Sequence, residues 1–78
     1  MKLEIITPDS SIFSGEVNLV QLPGTKGSFE ILNNHAPLIS VLKKGVIKIK
    51  DGNNQVKDFE VNGGVVEVNQ NSVLVLAE

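Results

Sequence analysis

The sequence contains no cysteine, tryptophan, tyrosine or arginine, and it has one histidine. Without cysteine, neither a disulfide nor a thiolate zinc site can stabilise the fold. A single histidine makes zinc or copper binding a poor hypothesis, so we expect no metal and no cofactor. Without arginine, and with phenylalanine as the only aromatic residue, the chain lacks the side chains that usually bind nucleic acid. We therefore expect no nucleic-acid partner.

Long apolar segments are also missing. No run approaches the roughly 20 residues that a membrane helix needs, and the N-terminus shows no signal-peptide pattern. With 78 residues, 41% of them hydrophobic, and a net charge of −2, the chain can form one small core. We expect a single domain over residues 1–78 that is soluble and cytosolic.

Apolar and polar residues alternate along much of the chain, which predicts β-strands. Ile47 and Ile49 fall on one face of a strand, and Lys48 and Lys50 fall on the other. Residues 51–54, Asp-Gly-Asn-Asn, tolerate positive φ angles and predict a hairpin turn.

The same pattern continues to the end of the chain. Phe59 and Val61 are predicted to point inward, and turns are predicted at 62–64 and 69–72. Residues 73–76 are all apolar, which predicts a strand that is buried on both faces or lies in the middle of a sheet.

The first half of the chain is less regular but still favours strands. A long strand-prone stretch covers residues 12–22, and Gly15 within it predicts a bulge or bend. Residues 33–37 lack the alternation and predict a structured loop. With no helical periodicity, about eight short strands indicate an all-β fold, either a small two-sheet β-sandwich or a flattened barrel of eight to ten strands.

No residue pattern predicts catalysis. His35 has no carboxylate at a recognisable motif spacing, so we interpret it as a loop-organising or interface residue. Residues 24–28 differ from a phosphate-binding loop because Lys26 precedes the second glycine and a strand follows instead of a helix. We expect a β-turn there that exposes Lys26 and Ser28. Exposed loops and strand edges would then serve as protein-docking surfaces.

Several segments resemble a known family. Residues 29–39, Phe-Glu-Ile-Leu-Asn-Asn-His-Ala-Pro-Leu-Ile, follow a Leu-Pro-Gly-x-x-Gly sequence at 22–27, and residues 62–68 read Asn-Gly-Gly-Val-Val-Glu-Val. Together with further matches along the whole chain, they resemble the N-terminal β-sandwich domain of the epsilon subunit of F-type ATP synthase.

This resemblance implies a two-sheet sandwich of about ten strands and a non-catalytic role in the central stalk of the rotor. There the chain would dock the gamma subunit to the c-ring and help couple proton translocation to ATP synthesis. It would be peripheral, on the cytoplasmic face of the bacterial plasma membrane. The residues that the resemblance places at the gamma contact are His35, Ala36, Pro37 and Leu38. Those that it places at the c-ring are Gly24, Lys26, Gly27 and Ser28, with Ser28 the best single candidate.

The sequence departs from the family pattern at three points. Glu30 replaces a residue that is usually small, and Asn33 stands where proline is common, so the path of the loop can differ. Family members usually continue into a C-terminal pair of helices that regulates ATP hydrolysis and in some members binds ATP. The present sequence stops at Glu78, so we expect neither hairpin-based inhibition nor nucleotide binding.

Two other functions remain as alternatives. Lipoyl and biotinyl carrier domains are also flattened β folds of similar size, but they need a modifiable lysine at a hairpin tip. The predicted tip at 51–54 has none, although Lys43 and Lys44 border a turn. A carbohydrate-binding sandwich is a weaker alternative, because it usually exposes Trp or Tyr platforms.

Overall fold

The computed structural model describes residues 1–78 and consists of eight β-strands without any helix. The strands are β1 (Lys2–Ile6), β2 (Ser11–Gly24), β3 (Gly27–Leu32), β4 (Leu38–Leu42), β5 (Gly45–Asp51), β6 (Val56–Val61), β7 (Gly64–Asn69) and β8 (Ser72–Ala77). No segment is therefore a helix that could cross a membrane. The all-β prediction is confirmed, with eight strands.

The hairpin predicted at residues 51–54 joins β5 to β6. Asn54 has a φ of 62°, and Asp51 Oδ1 accepts hydrogen bonds from the backbone N–H groups of Asn53 and Gln55 at 2.8 and 2.9 Å. The Gln55 bond is the main cause that lowers the pKa of the Asp51 carboxyl. The Asn53 bond and the charge of Lys57, whose Nζ lies 3.9 Å from Asp51 Oδ2, act in the same direction, while partial burial opposes them.

Strand β2 organises the topology because it is 14 residues long and pairs with four other strands. Hydrogen-bonded pairing runs from β1 through β8, β7 and β4 to the end of β2, and the start of β2 pairs back to β1. The second half of β2 also pairs with β3 on one edge and with β5 on the other, and β6 pairs with β5. This closed ring with attached strands is compatible with the β-sandwich or flattened barrel expected from the alternation.

The core lies inside this ring and is entirely apolar. It contains 16 buried residues: Met1, Leu3, Ile5, Val17, Val20, Leu22, Ile31, Leu42, Ile47, Ile49, Val61, Val66, Val68, Val73, Val75 and Ala77. Phe13, Phe29, Leu38 and Phe59 pack against its margin, and the rings of Phe13 and Phe59 are 5.5 Å apart. Val61 is buried and Phe59 packs against the core, so their predicted inward orientation is confirmed. Ile47 and Ile49, predicted to share one face, are both buried.

One local prediction was wrong, and for β8 one of the two predicted alternatives is confirmed. Gly15 pairs regularly with Leu3, and the irregularities lie instead opposite Ile5 and Ile6 and between Val17 and Leu19. Strand β8 does lie in the middle of the sheet, between β1 and β7, but it is not buried on both faces. No element covers the outer face of β8, so Leu76 is about half exposed.

Candidate docking surfaces

The loop between β3 and β4 presents the sequence His35-Ala36-Pro37 to solvent, and the half-buried Leu38 begins β4. Leu38 packs against the core and pairs with Val68 of β7. The Nδ1–H group of His35 donates to the Ala36 carbonyl oxygen at 2.8 Å, and the His35 backbone N–H donates to the Leu32 carbonyl oxygen at 3.3 Å. The histidine thus organises its own loop.

Two asparagines fix this loop to distant parts of the chain. Asn33 Oδ1 accepts a 2.6 Å hydrogen bond from the buried α-amino group of Met1. Asn34 has a φ of 64°, and its backbone N–H donates to Asn71 Oδ1 at 2.7 Å. Asn71 lies in the turn between β7 and β8 and also has positive φ. The loop is therefore held in one conformation, which lowers the entropy cost of binding a partner.

The turn at residues 24–28 is the tip of the β2–β3 hairpin. Gly24 pairs with Gly27, and Thr25 and Lys26 form the exposed turn. Ser28 is also exposed, and its Oγ accepts a 3.1 Å hydrogen bond from Gln21 Nε2. The predicted β-turn that exposes Lys26 and Ser28 is confirmed.

Strand β4 connects the two sets of predicted site residues. Ile39 of β4 lines two grooves. Pro37 and Leu38 contribute to the first, and the β2–β3 turn contributes to the second. The backbone N–H of Thr25 donates to the Val41 carbonyl oxygen at 3.3 Å, which ties the turn to β4. The loop and the turn are therefore parts of one continuous surface.

An apolar stripe crosses the outer face of four adjacent strands. The pairing aligns Val41 of β4 with Val65 of β7, Val65 with Leu76 of β8, and Leu76 with Ile6 of β1. The exposed fractions are 56% for Val41, 37% for Val65 and 49% for Leu76. Ile39, on the same face of β4, is 73% exposed. Contiguous exposed apolar residues of this kind mark interaction sites on small soluble domains.

Sequence reasoning missed this apolar stripe. The signal that could have found it is that β4 and β8 have apolar residues at both odd and even positions, whereas much of the chain alternates between apolar and polar residues. For residues 73–76 the pattern predicts a strand that is buried on both faces or lies in the middle of a sheet; the second holds, and half of these side chains face outward. Carboxylates border the apolar stripe: the next row of paired residues contains Glu67 opposite Leu74, and Leu74 opposite Glu4.

Comparison with known families gives this surface a context. Residues 1–78, the whole chain, match the model of the ATP synthase delta/epsilon chain β-sandwich domain. The chain belongs to the ATP synthase delta/epsilon chain family. The resemblance recognised from the His-Ala-Pro-Leu loop and the Gly-Gly strand is thereby confirmed.

Relatives of the chain include bacterial proteins named ATP synthase epsilon chain. The chain is 45% identical over its whole length to that of Sulfurimonas denitrificans and covers 60% of it. It is 42% identical over its whole length to that of Campylobacter curvus and again covers 60%. It is 38% identical to that of Caulobacter vibrioides and covers 90%. The chain thus spans about 60% of the length of several of its epsilon-chain relatives.

Solved structures share the fold. A chain in the cryo-EM structure of the central stalk and c-ring of Tetrahymena thermophila mitochondrial ATP synthase matches 99% of this chain, with a TM-score of 0.82 and 25% identity; the match covers 62% of that chain. A chain in the Euglena gracilis mitochondrial ATP synthase structure matches 96% of this chain and 48% of its own length, with a TM-score of 0.89 and 19% identity. The second match concerns the fold alone.

The carrier-domain alternative gains no support. Lys43 and Lys44 lie in the link between β4 and β5 rather than at a hairpin tip, and the β5–β6 turn has no lysine. Lys26 does lie at a hairpin tip, but the family matched over the whole chain is that of the ATP synthase delta/epsilon chain.

Proposed function

We propose that this epsilon-family chain is a non-catalytic subunit of the central stalk of F-type ATP synthase. It docks the gamma subunit to the c-ring and helps couple proton translocation to ATP synthesis. The observation that most supports this stalk role is the apolar stripe. The stripe lies on a small domain whose family is known, and the core of the domain is complete without the stripe. A contiguous exposed apolar face of this kind marks a site where a partner protein binds.

The gamma subunit would contact the loop residues His35, Ala36, Pro37 and Leu38 together with the apolar stripe. Leu38 packs against the core, but Ile39, the next residue, lies on the same outer face of β4 as Val41, so one partner can cover the end of the loop and the apolar stripe together. The asparagine contacts that fix the loop support this assignment because a preformed loop loses little entropy on binding. Apolar residues at the centre and carboxylates at the border are the usual arrangement of a protein interface.

The c-ring would contact the β2–β3 turn through the exposed Lys26, Gly27 and Ser28, while Gly24, which the resemblance also assigns to this contact, is buried at the base of the turn. This turn projects from the hairpin with a charged and a hydroxyl side chain exposed, which suits contact with polar loops better than with an apolar surface. Its hydrogen bond to β4 joins it to the surface that would contact gamma. A chain that grips both partners at once would transmit torque between them.

Within this proposal the chain has no catalytic residue and needs no cofactor or nucleotide. It would lie at the cytoplasmic face of the bacterial plasma membrane and reach the membrane only through its partners. His35, the one histidine, hydrogen-bonds to the backbone of its own loop.

The test is co-purification of the chain with the gamma subunit and c-ring of its own host. Val41→Lys places a charge in the apolar stripe, and Val56→Lys is the matched control, because Val56 is a strand valine with the same 56% exposure but lies on β6, off the apolar stripe. We expect Val41→Lys to weaken gamma binding at least tenfold, about 1.4 kcal/mol, and Val56→Lys to leave it unchanged. Circular dichroism should show both variants folded. Equal binding by the two variants, or recovery of neither partner by the unmodified chain, contradicts the proposal.

A further inference from the structure

A second surface lies on the outer face of the β3–β2–β5–β6 layer, away from the apolar stripe. It is an open groove of about 460 Å³, and five of the seven residues that line it carry polar or charged side chains. The residues that line it are Gln21, Pro23, Ser28, Lys43, Val46, Lys48 and Asp58. Neither the proposed gamma contact nor the core uses Lys43 or Lys48, so the groove needs an account of its own.

The Ser28 hydroxyl is oriented as a donor by its neighbour. Gln21 Nε2 donates to Ser28 Oγ at 3.1 Å, so the oxygen acts as an acceptor in this bond and its own proton remains available. An acceptor atom placed in the groove can therefore receive the Ser28 O–H. Gln21 acts here as a positioning residue for the hydroxyl.

Lys43 and Lys48 supply positive charge, and neither forms an ion pair with a carboxylate of the chain. The ion pairs of the chain join the Met1 amine to Glu16, Lys2 to Glu4, and Lys57 to Asp51. Lys48 stands opposite Asp58 in the β5–β6 pairing, yet the two do not form an ion pair. The groove thus offers two ammonium groups and one hydroxyl donor, against a single carboxylate.

We propose that this groove binds a phosphate group, which accepts hydrogen bonds from the ammonium groups of Lys43 and Lys48 and from the Ser28 hydroxyl. A phosphate presents enough oxygens to accept from all three donors at once, and lysine binds it as a point charge. Asp58 repels the same group, and all the donors are exposed to water, so the affinity is weak. The inference does not depend on stalk docking, although both involve Ser28.

The test is a titration of the isolated chain with inorganic phosphate at constant ionic strength, followed by the backbone amide NMR signals of the residues lining the groove. Lys48→Gln and Lys43→Gln should each weaken binding about fivefold, the effect of one unit charge about 4 Å away in water. Lys50→Gln is the matched control, because Lys50 points outward from the same strand but does not line the groove. Asp58→Asn should strengthen binding by a similar factor. These side chains are exposed, so all four variants should fold, as circular dichroism would verify.

Co-sedimentation with phosphatidylcholine vesicles, with and without phosphatidylglycerol, then identifies the source of the phosphate. Saturable binding of inorganic phosphate without sedimentation indicates a soluble ligand. Sedimentation that requires phosphatidylglycerol and is lost in Lys48→Gln indicates a lipid headgroup. The inference is overturned if Lys50→Gln has the same effect as Lys48→Gln, or if neither phosphate nor vesicles bind. Because no partner subunit is present, this outcome leaves the stalk proposal untouched.

Discussion

Replacement of Gly64 by alanine tests how β7 enters the sheet. Gly64 has a φ of 148° and pairs with Ala77 of β8 and Leu42 of β4. A Cβ at this position would lie 2.3 Å from the carbonyl oxygen of Leu76 and 3.0 Å from the Cα of Ala77. Both are backbone atoms of a strand in the middle of the sheet, so neither can move without disturbing the pairing of β8.

The cost has two parts, which a second glycine separates. Backbone strain at such a φ costs about 1–3 kcal/mol. Gly27 has a φ of 127° but no atom within 4 Å of its Cβ position, so Gly27→Ala should cost this strain alone. Gly64→Ala should in addition shift β8 and weaken its hydrogen bonds, at about 1 kcal/mol each. We expect a total of about 3–5 kcal/mol, out of about 4–12 kcal/mol for a domain of this size.

Urea and thermal unfolding, followed by circular dichroism, measure the difference. At about 4–8 °C per kcal/mol, Gly27→Ala should lower the melting temperature by about 4–24 °C. Gly64→Ala should lower it clearly further or leave the chain unfolded at room temperature. If Gly64→Ala destabilises the protein no more than Gly27→Ala does, the close approach of β7 and β8 is refuted.

Three further predictions concern the core, the loop and a turn. Ile31→Ala should destabilise the protein by about 2–5 kcal/mol in urea unfolding, because Ile31 is fully buried. Leu32→Ala is the control and should cost less than about 1 kcal/mol, because the Leu32 side chain is 54% exposed. Equal costs for the two variants would mean that the strand register is wrong. Asn71→Gly removes the acceptor for the Asn34 backbone N–H and still accepts the positive φ of residue 71. Amide exchange at Asn34 should therefore become faster while exchange in the core strands stays unchanged, and an unchanged Asn34 rate would contradict this anchor. The low pKa of Asp51 in the folded state provides stability that is complete above its ordinary value of 3.8 and is lost as the pH falls through the lowered pKa. Melting temperatures measured against pH should therefore fall less steeply on acidification in Asp51→Asn than in the unmodified chain, and identical slopes would exclude this role.

Local patterns in the sequence determined the strands and turns. Alternation placed Ile47 and Ile49 in the core because successive side chains of a strand point to opposite faces. The Asp-Gly-Asn-Asn sequence at 51–54 determined a hairpin turn because its residues accept positive φ angles. The His-Ala-Pro-Leu sequence at 35–38 indicated the family because it is a specific motif, whereas alternation is common to all strands.

Only the tertiary structure decided which apolar faces stay uncovered. Strand β8 has apolar residues at both odd and even positions. Its sequence therefore does not distinguish Val75, which is buried, from Leu76, which is half exposed. The difference arises because the ring of paired strands closes around one face of β8 and leaves the other to solvent. The apolar stripe and the groove proposed to bind phosphate likewise combine residues from several strands, which only the pairing register of the sheet brings together. Burial depends on contacts between residues distant in sequence, whereas periodicity records only how neighbouring side chains point.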